Sequence, residues 1–100
     1  MDPKVTKQLT SWDILDIDGL LDSIEALWDH DYGRLSKTTL PNGDIFLNLM
    51  TGGWYDNEEI IRALDSHKVF NMLYWHASTR GGSHMYIIYE IKKTGGIKDE

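Results

Sequence analysis

Apolar residues between Trp12 and Trp28 recur at helical spacing. Ile17, Leu20, Leu21, Ile24, Leu27 and Trp28 follow the i, i+3, i+4, i+7 pattern of one buried face. Gly19 interrupts the run, so the regular helix is expected to start there, capped by Asp16 or Asp18, after a looser turn holding Trp12 and Leu15. Further on the period changes to two. Ile45, Leu47 and Leu49 alternate with Phe46, Asn48 and Met50, behind Pro41-Asn42-Gly43-Asp44. Asn-Gly supplies the positive φ of a tight turn, so Leu35–Leu40 and Ile45–Met50 read as a hairpin whose polar first strand lies at an edge. Thr51-Gly52-Gly53-Trp54-Tyr55 then turns the chain into a second helix, with Asp56 and Glu59 spaced as a capping pair and Ile60, Ile61 and Leu64 as its buried stripe to about Ser66. Val69 to Ser78 is apolar on both faces, as in a central strand. Arg80-Gly81-Gly82-Ser83 breaks it, and Met85, Ile87, Tyr89 and Ile91 alternate with His84, Tyr86, Ile88 and Glu90 in a final strand.

The order helix–hairpin–helix–hairpin predicts an α+β fold: a four-stranded, mainly antiparallel sheet with two helices, most simply on one face. One domain is expected over residues 1–100. Met1–Thr10 is polar and expected to fray, and Thr94–Glu100 is expected to be a flexible tail.

Charge changes this picture in one place. The net charge is −6, and residues 1–32 hold eight acids against Lys4 and Lys7, so the whole imbalance lies in the N-terminal third. Asp18, Asp22, Glu25 and Asp29 recur at helical spacing with no basic i+4 partner. Such a stripe repels nucleic acid and attracts a basic protein surface. The same stripe also serves solubility alone. No apolar run approaches the ~20 residues of a membrane span. The chain has no cysteine, which excludes disulfides and thiolate metal sites. With no secretory signal in view, the cytoplasm is the expected compartment.

Motifs for chemistry are sparse. His30, His67, His76 and His84 show no i, i+4 pair and no carboxylate motif of a zinc site, and no serine stands in a GxSxG elbow. No metal, cofactor or catalytic residue is therefore assigned, and the chain is not expected to be an enzyme. The glycine pairs are the second candidate. Gly52, Gly53 and Trp54, with Arg80, Gly81 and Gly82, would form an anion and base-stacking site if the two loops meet. Against that, Asp56, Glu58 and Glu59 sit in the first turn of the following helix and repel phosphate.

The run Thr51-Gly52-Gly53-Trp54-Tyr55-Asp56-Asn57-Glu58-Glu59-Ile60-Ile61-Arg62-Ala63-Leu64 resembles a motif of small uncharacterised proteins of bacteriophages and prophages. Tyr74-Trp75 through Arg80-Gly81-Gly82 to Tyr86 resembles the same family's C-terminal signature, so the likeness covers about Thr51 to Ile91. Tyr55 and Ser83-His84-Met85 depart from its pattern. The resemblance implies a phage or prophage origin, hence the cytoplasm of a bacterial host, and transfers no activity. Small acidic phage proteins are often inhibitors of host machinery, including anti-CRISPR and other anti-defence proteins. The leading expectation is thus an accessory protein that binds and inhibits a bacterial protein with a basic surface through Asp18, Asp22, Glu25 and Asp29. Two alternatives stand beside it: a nucleotide-binding module built on the glycine loops, and an oligomeric virion or assembly component.

Overall fold

The computed structural model describes residues 2–89. Four helices and four strands alternate in pairs. α1 (Pro3–Thr10) and α2 (Ile17–Leu27) are followed by β1 (Arg34–Thr39) and β2 (Ile45–Met50), then α3 (Tyr55–Ser66) and α4 (Lys68–Tyr74), then β3 (Trp75–Thr79) and β4 (Ser83–Ile88). The α+β class holds, but the two expected helices are four. The expected tail from Thr94 lies outside the described residues.

The first correction is α1, where fraying was expected. Asp2 caps it by accepting the Lys4 N–H at 2.9 Å, and Pro3 fills the first turn, where its missing N–H costs nothing. Val5 and Leu9 are one turn apart, and Leu9 is buried in the core against α3. Two apolar residues among polar ones are too few for a periodicity, so the signal lay in the Asp-Pro start.

α2 begins at Ile17, two residues before the expected start, and Asp16 is its cap, accepting the Gly19 N–H at 3.2 Å. A Cβ at Gly19 would collide with the Asp16 carboxylate, so the glycine makes room for the cap. The looser turn before it is a 3-10 turn, Ile14–Asp16, capped by Asp13 through the Leu15 N–H.

The first hairpin follows expectation. Gly43 has φ +94°, its N–H donates to Leu40 O at 2.9 Å, and Leu40 N–H returns to Asp44 O at 2.7 Å. Among the described residues β1 pairs with β2 alone and lies at the sheet edge.

α3 corrects the expected cap. Its first residue is Tyr55, and Trp54 stands at the cap position without a side-chain bond. The turn closed by Trp54 N–H to Thr51 O (3.1 Å) already points the chain into the helix, so Asp56 becomes a first-turn acid facing the positive end of the dipole. Ile60, Ile61 and Leu64 are buried as the pattern requires.

The largest correction is α4, in place of the first half of the expected strand Val69–Ser78. Its cap is an imidazole: His67 Nδ1 accepts the Phe70 N–H at 3.2 Å. Nε2 must then carry the proton, and it donates to Trp12 O at 2.7 Å. Phe70 and Tyr74 are buried one turn apart, while Met72 is 76 % exposed. Only Trp75–Thr79 is strand, and it lies at an edge, because the sheet order is β1-β2-β4-β3. All pairings are antiparallel.

The core joins Leu9, Leu20, Leu21, Ile24 and Trp28 to Ile60, Leu64, Phe70 and Tyr74, and these to Leu47, Leu49, Tyr86 and Ile88 from one face of the sheet. Burying a side chain of this kind contributes about 1.5–3 kcal/mol. The helices therefore form a layer on that face.

Candidate functional site

The acidic residues do not form one stripe. Asp18, Asp22 and Glu25 are exposed on α2, whose opposite side buries Leu20, Leu21 and Ile24. Lys37 of β1 reaches Glu25 with 3.0 Å between Nζ and Oε1. That pair is exposed, so it contributes little stability and is screened by salt. Asp29 lies beyond the helix, which ends at Leu27 because the next residue, Trp28, is extended (φ −66°, ψ 135°) and drops its indole into the core. The Asp29 carboxylate accepts the Asp31 N–H at 3.0 Å and so shapes the following turn.

What fixes Asp29 is a side chain that sequence reasoning passed over. Asn57, fully buried in the first turn of α3, accepts the Asp29 N–H on Oδ1 at 2.8 Å. Its Nδ2 donates to Asp29 O at 3.1 Å and to Thr51 O at 3.3 Å. One carboxamide thus closes the loop after α2 onto the loop before α3. Asn57 stood between Asp56 and Glu58 inside the quoted motif, and a polar, uncharged residue within that acidic turn was the available signal.

The two glycine loops do meet. Thr51 N–H donates to Gly82 O at 3.0 Å, at the end where β2 and β4 pair. Their amides, however, face inward. Gly53 N–H donates to Thr51 Oγ1 (3.2 Å), Trp54 N–H to Thr51 O (3.1 Å) and Gly82 N–H to Thr79 O (3.2 Å). An anion nest needs such amides free and convergent, so the glycines here serve conformation. Gly52 sits at φ +63°, and a Cβ there would overlap the Tyr32 carbonyl. Arg80 and Gly81 are exposed at the tip of the second turn.

Trp54 is stacked, but on a neighbour within the chain. Its ring lies 4.4 Å from that of Tyr32 with 13° between planes, and the two are 37 % and 59 % exposed. Beside them an open groove of about 580 Å³ runs between the loop after α2 and the end of the hairpin, with His30, Asp31, Tyr32, Arg34, Met50 and Gly52 among its walls. Of the loop residues singled out in the sequence, Gly52 alone lines it.

Burial raises the Tyr86 phenol well above the ordinary 10.0, with nearby Asp65 adding to the effect. Burial also raises Tyr74, reinforced by Tyr89. Both hydroxyls lack a hydrogen-bond partner among the described residues. Among those residues no three His, Asp or Glu side chains are grouped to hold a metal ion, and no helix is long and apolar enough to cross a membrane. Comparison of the chain with family models, with curated proteins and with solved structures gave no match.

Proposed function

We propose that the chain is a phage- or prophage-type accessory protein that binds a bacterial host protein and inhibits or redirects it, with Asp18, Asp22 and Glu25 of α2 as its electrostatic contact. One observation carries this reading: these three carboxylates project from one exposed helix face, and among the described residues Lys37 is paired with Glu25 alone of the three. A basic surface meeting that face gains Coulomb attraction at the cost of one exposed ion pair. Steering of this kind raises the on-rate and weakens with ionic strength. Asp29 belongs to the scaffold of this surface, because its carboxylate and backbone are already engaged in the turn.

The nucleotide-binding alternative draws support from the contact between the two loops and from the exposure of Trp54 and Arg80. The inward-facing amides of Gly53, Trp54 and Gly82 weigh against it.

Replacing Asp18 and Asp22 with Asn and Glu25 with Gln tests the leading reading. The fold should survive, since all three side chains are exposed. Capture of a host protein at low salt should be lost. Capture unchanged by the triple replacement would contradict the role given to α2.

A further inference from the structure

Among the described residues, none of the four strands contains an aspartate or a glutamate, in a chain that has 16 of them and a net charge of −6. The register divides the strand residues between two faces. Leu47, Leu49, Tyr86 and Ile88 point to the helical layer and belong to the core. The other face pairs Phe46 with Ile87 and Asn48 with Met85 at its centre, and none of these four is in the core. Phe46 meets His76 of β3 edge-on at 6.5 Å, and Ala77 pairs with Met85. Ser36, Thr38 and Arg34 of β1 lie on the same face, beside Asn48, Phe46 and Met50. Among the described residues this side of the sheet has an apolar centre and a polar rim whose strand positions carry no carboxylate, with Asp44 just before β2 at its hairpin end.

We propose that this open face is a homodimer interface, and that its occupant is a second copy of the chain packed sheet to sheet about a two-fold axis. Charge selects that occupant. Two copies repel each other through their acidic helical layers, whereas strands without carboxylates meet with far less of that penalty. A two-fold axis through the sheet centre places apolar residues on apolar residues, and sets hydroxyl and amide groups, which both donate and accept, against their own kind. The strand edges are less suited to pairing: β1 displays Arg34 and Lys37, and β3 is broken by an irregularity between Trp75 and Ala77. Three strands of six residues and one of five present roughly 360 Å² in projection. That falls short of the ~800 Å² each partner buries in a standard interface, so the dimer exchanges with monomer. The proposal is independent of the α2 reading, because the two surfaces lie on opposite layers.

Sedimentation across a wide concentration range tests it on the whole chain. The native protein should show a reversible monomer–dimer equilibrium. Ile87→Glu and Ile87→Lys should each weaken it by roughly 100-fold or more, since each buries unpaired like charges near the axis. An equimolar mixture of the two variants should restore the dimer, which a merely misfolded variant cannot do. Met85→Glu and Met85→Lys form a second such pair should the first fail to fold. The Asp18→Asn, Asp22→Asn protein should dimerise as well as the native one, so failure of either reading is seen separately. A native protein monomeric throughout, growth beyond the dimer, or a dimer indifferent to the charges at Ile87 and Met85 would overturn the proposal. Binding of single-stranded RNA or of a different protein by that monomer, lost in Ile87→Glu, would assign the face to that occupant instead.

Discussion

Asn57 Oδ1 accepts the backbone N–H of Asp29 at 2.8 Å across 28 residues of chain, and Nδ2 of the same carboxamide donates back to Asp29 O at 3.1 Å. This two-way clamp holds the loop after the acidic helix against the start of the Thr51-Gly52-Gly53-Trp54 turn. It also gives the asparagine of the TGGW motif a structural role, since Nδ2 reaches Thr51 O as well.

Asn57→Ala should therefore be among the most destabilising single replacements. It strands the Asp29 N–H and two carbonyls in a buried place, at about 1–3 kcal/mol for each group left without a partner. For a domain of this size, each kcal/mol lowers Tm by roughly 4–8 °C. Asn57→Asp should be no milder, because a carboxylate facing two carbonyls keeps the acceptor and loses both donors. Urea unfolding of the two variants checks this, and a loss below 1 kcal/mol in either would contradict the clamp.

The glycine turn makes a sharper comparison. Gly52→Ala forces a Cβ onto the Tyr32 carbonyl at a φ of +63°, whereas Gly43→Ala, at +94°, meets open space. Both lose left-handed freedom, worth about 1–2 kcal/mol. Gly52→Ala should cost clearly more, and it should also disturb the Tyr32–Trp54 stack, seen as a change in tryptophan near-UV dichroism. Equal costs at the two sites would contradict the close approach of Tyr32 to the turn.

Much of the fold was legible because its signals are local. The Asn42-Gly43 turn, the alternation of β2 and the stripe of Ile60, Ile61 and Leu64 each follow from neighbouring residues and appear as expected. α4 was not legible, since its cap is an imidazole whose second nitrogen bonds to Trp12 O, 55 residues away. A short apolar run such as Val69–Tyr74 suits strand or helix until that tertiary bond decides. The acidic residues were visible as a charge pattern, but Asp29 departed from it because burial of Trp28 ends the helix first. The contact between the glycine loops was conceivable from sequence, whereas the inward direction of their amides depends on backbone angles that no composition records.

His67→Ala removes the cap on α4 and the tertiary bond to Trp12 together. Loss of the cap on Phe70 N–H should cost about 1–2 kcal/mol, and the unpaired Trp12 carbonyl adds to it. In the native protein, nitrogen NMR should find the Nε2–H tautomer at His67. A proton on Nδ1 instead would contradict the cap.

Alkaline pH should weaken the protein through its buried phenols. Tyr86 and Tyr74 are both raised above 10.0 in the folded chain by burial. Unfolded, they release protons near 10, so above that pH the unfolded state binds fewer protons than the native state and stability falls as pH rises. Below about pH 10 this contribution is fully present. Tyr86→Phe should flatten the decline and leave stability near neutral pH unchanged or slightly higher, because its hydroxyl has no partner among the described residues. Denaturant midpoints from about pH 8 to about pH 11.5 check the slope. A flat native profile would contradict it.

The contact proposed between α2 and a basic protein surface is electrostatic. The most direct measurement is the salt dependence of affinity for a captured host protein, taken with the native chain and with the Asp18→Asn, Asp22→Asn, Glu25→Gln protein. Affinity of the native chain should fall steeply with salt, and the neutralised protein should bind weakly with a nearly flat dependence. Equal affinities and equal slopes for the two proteins would contradict the claim.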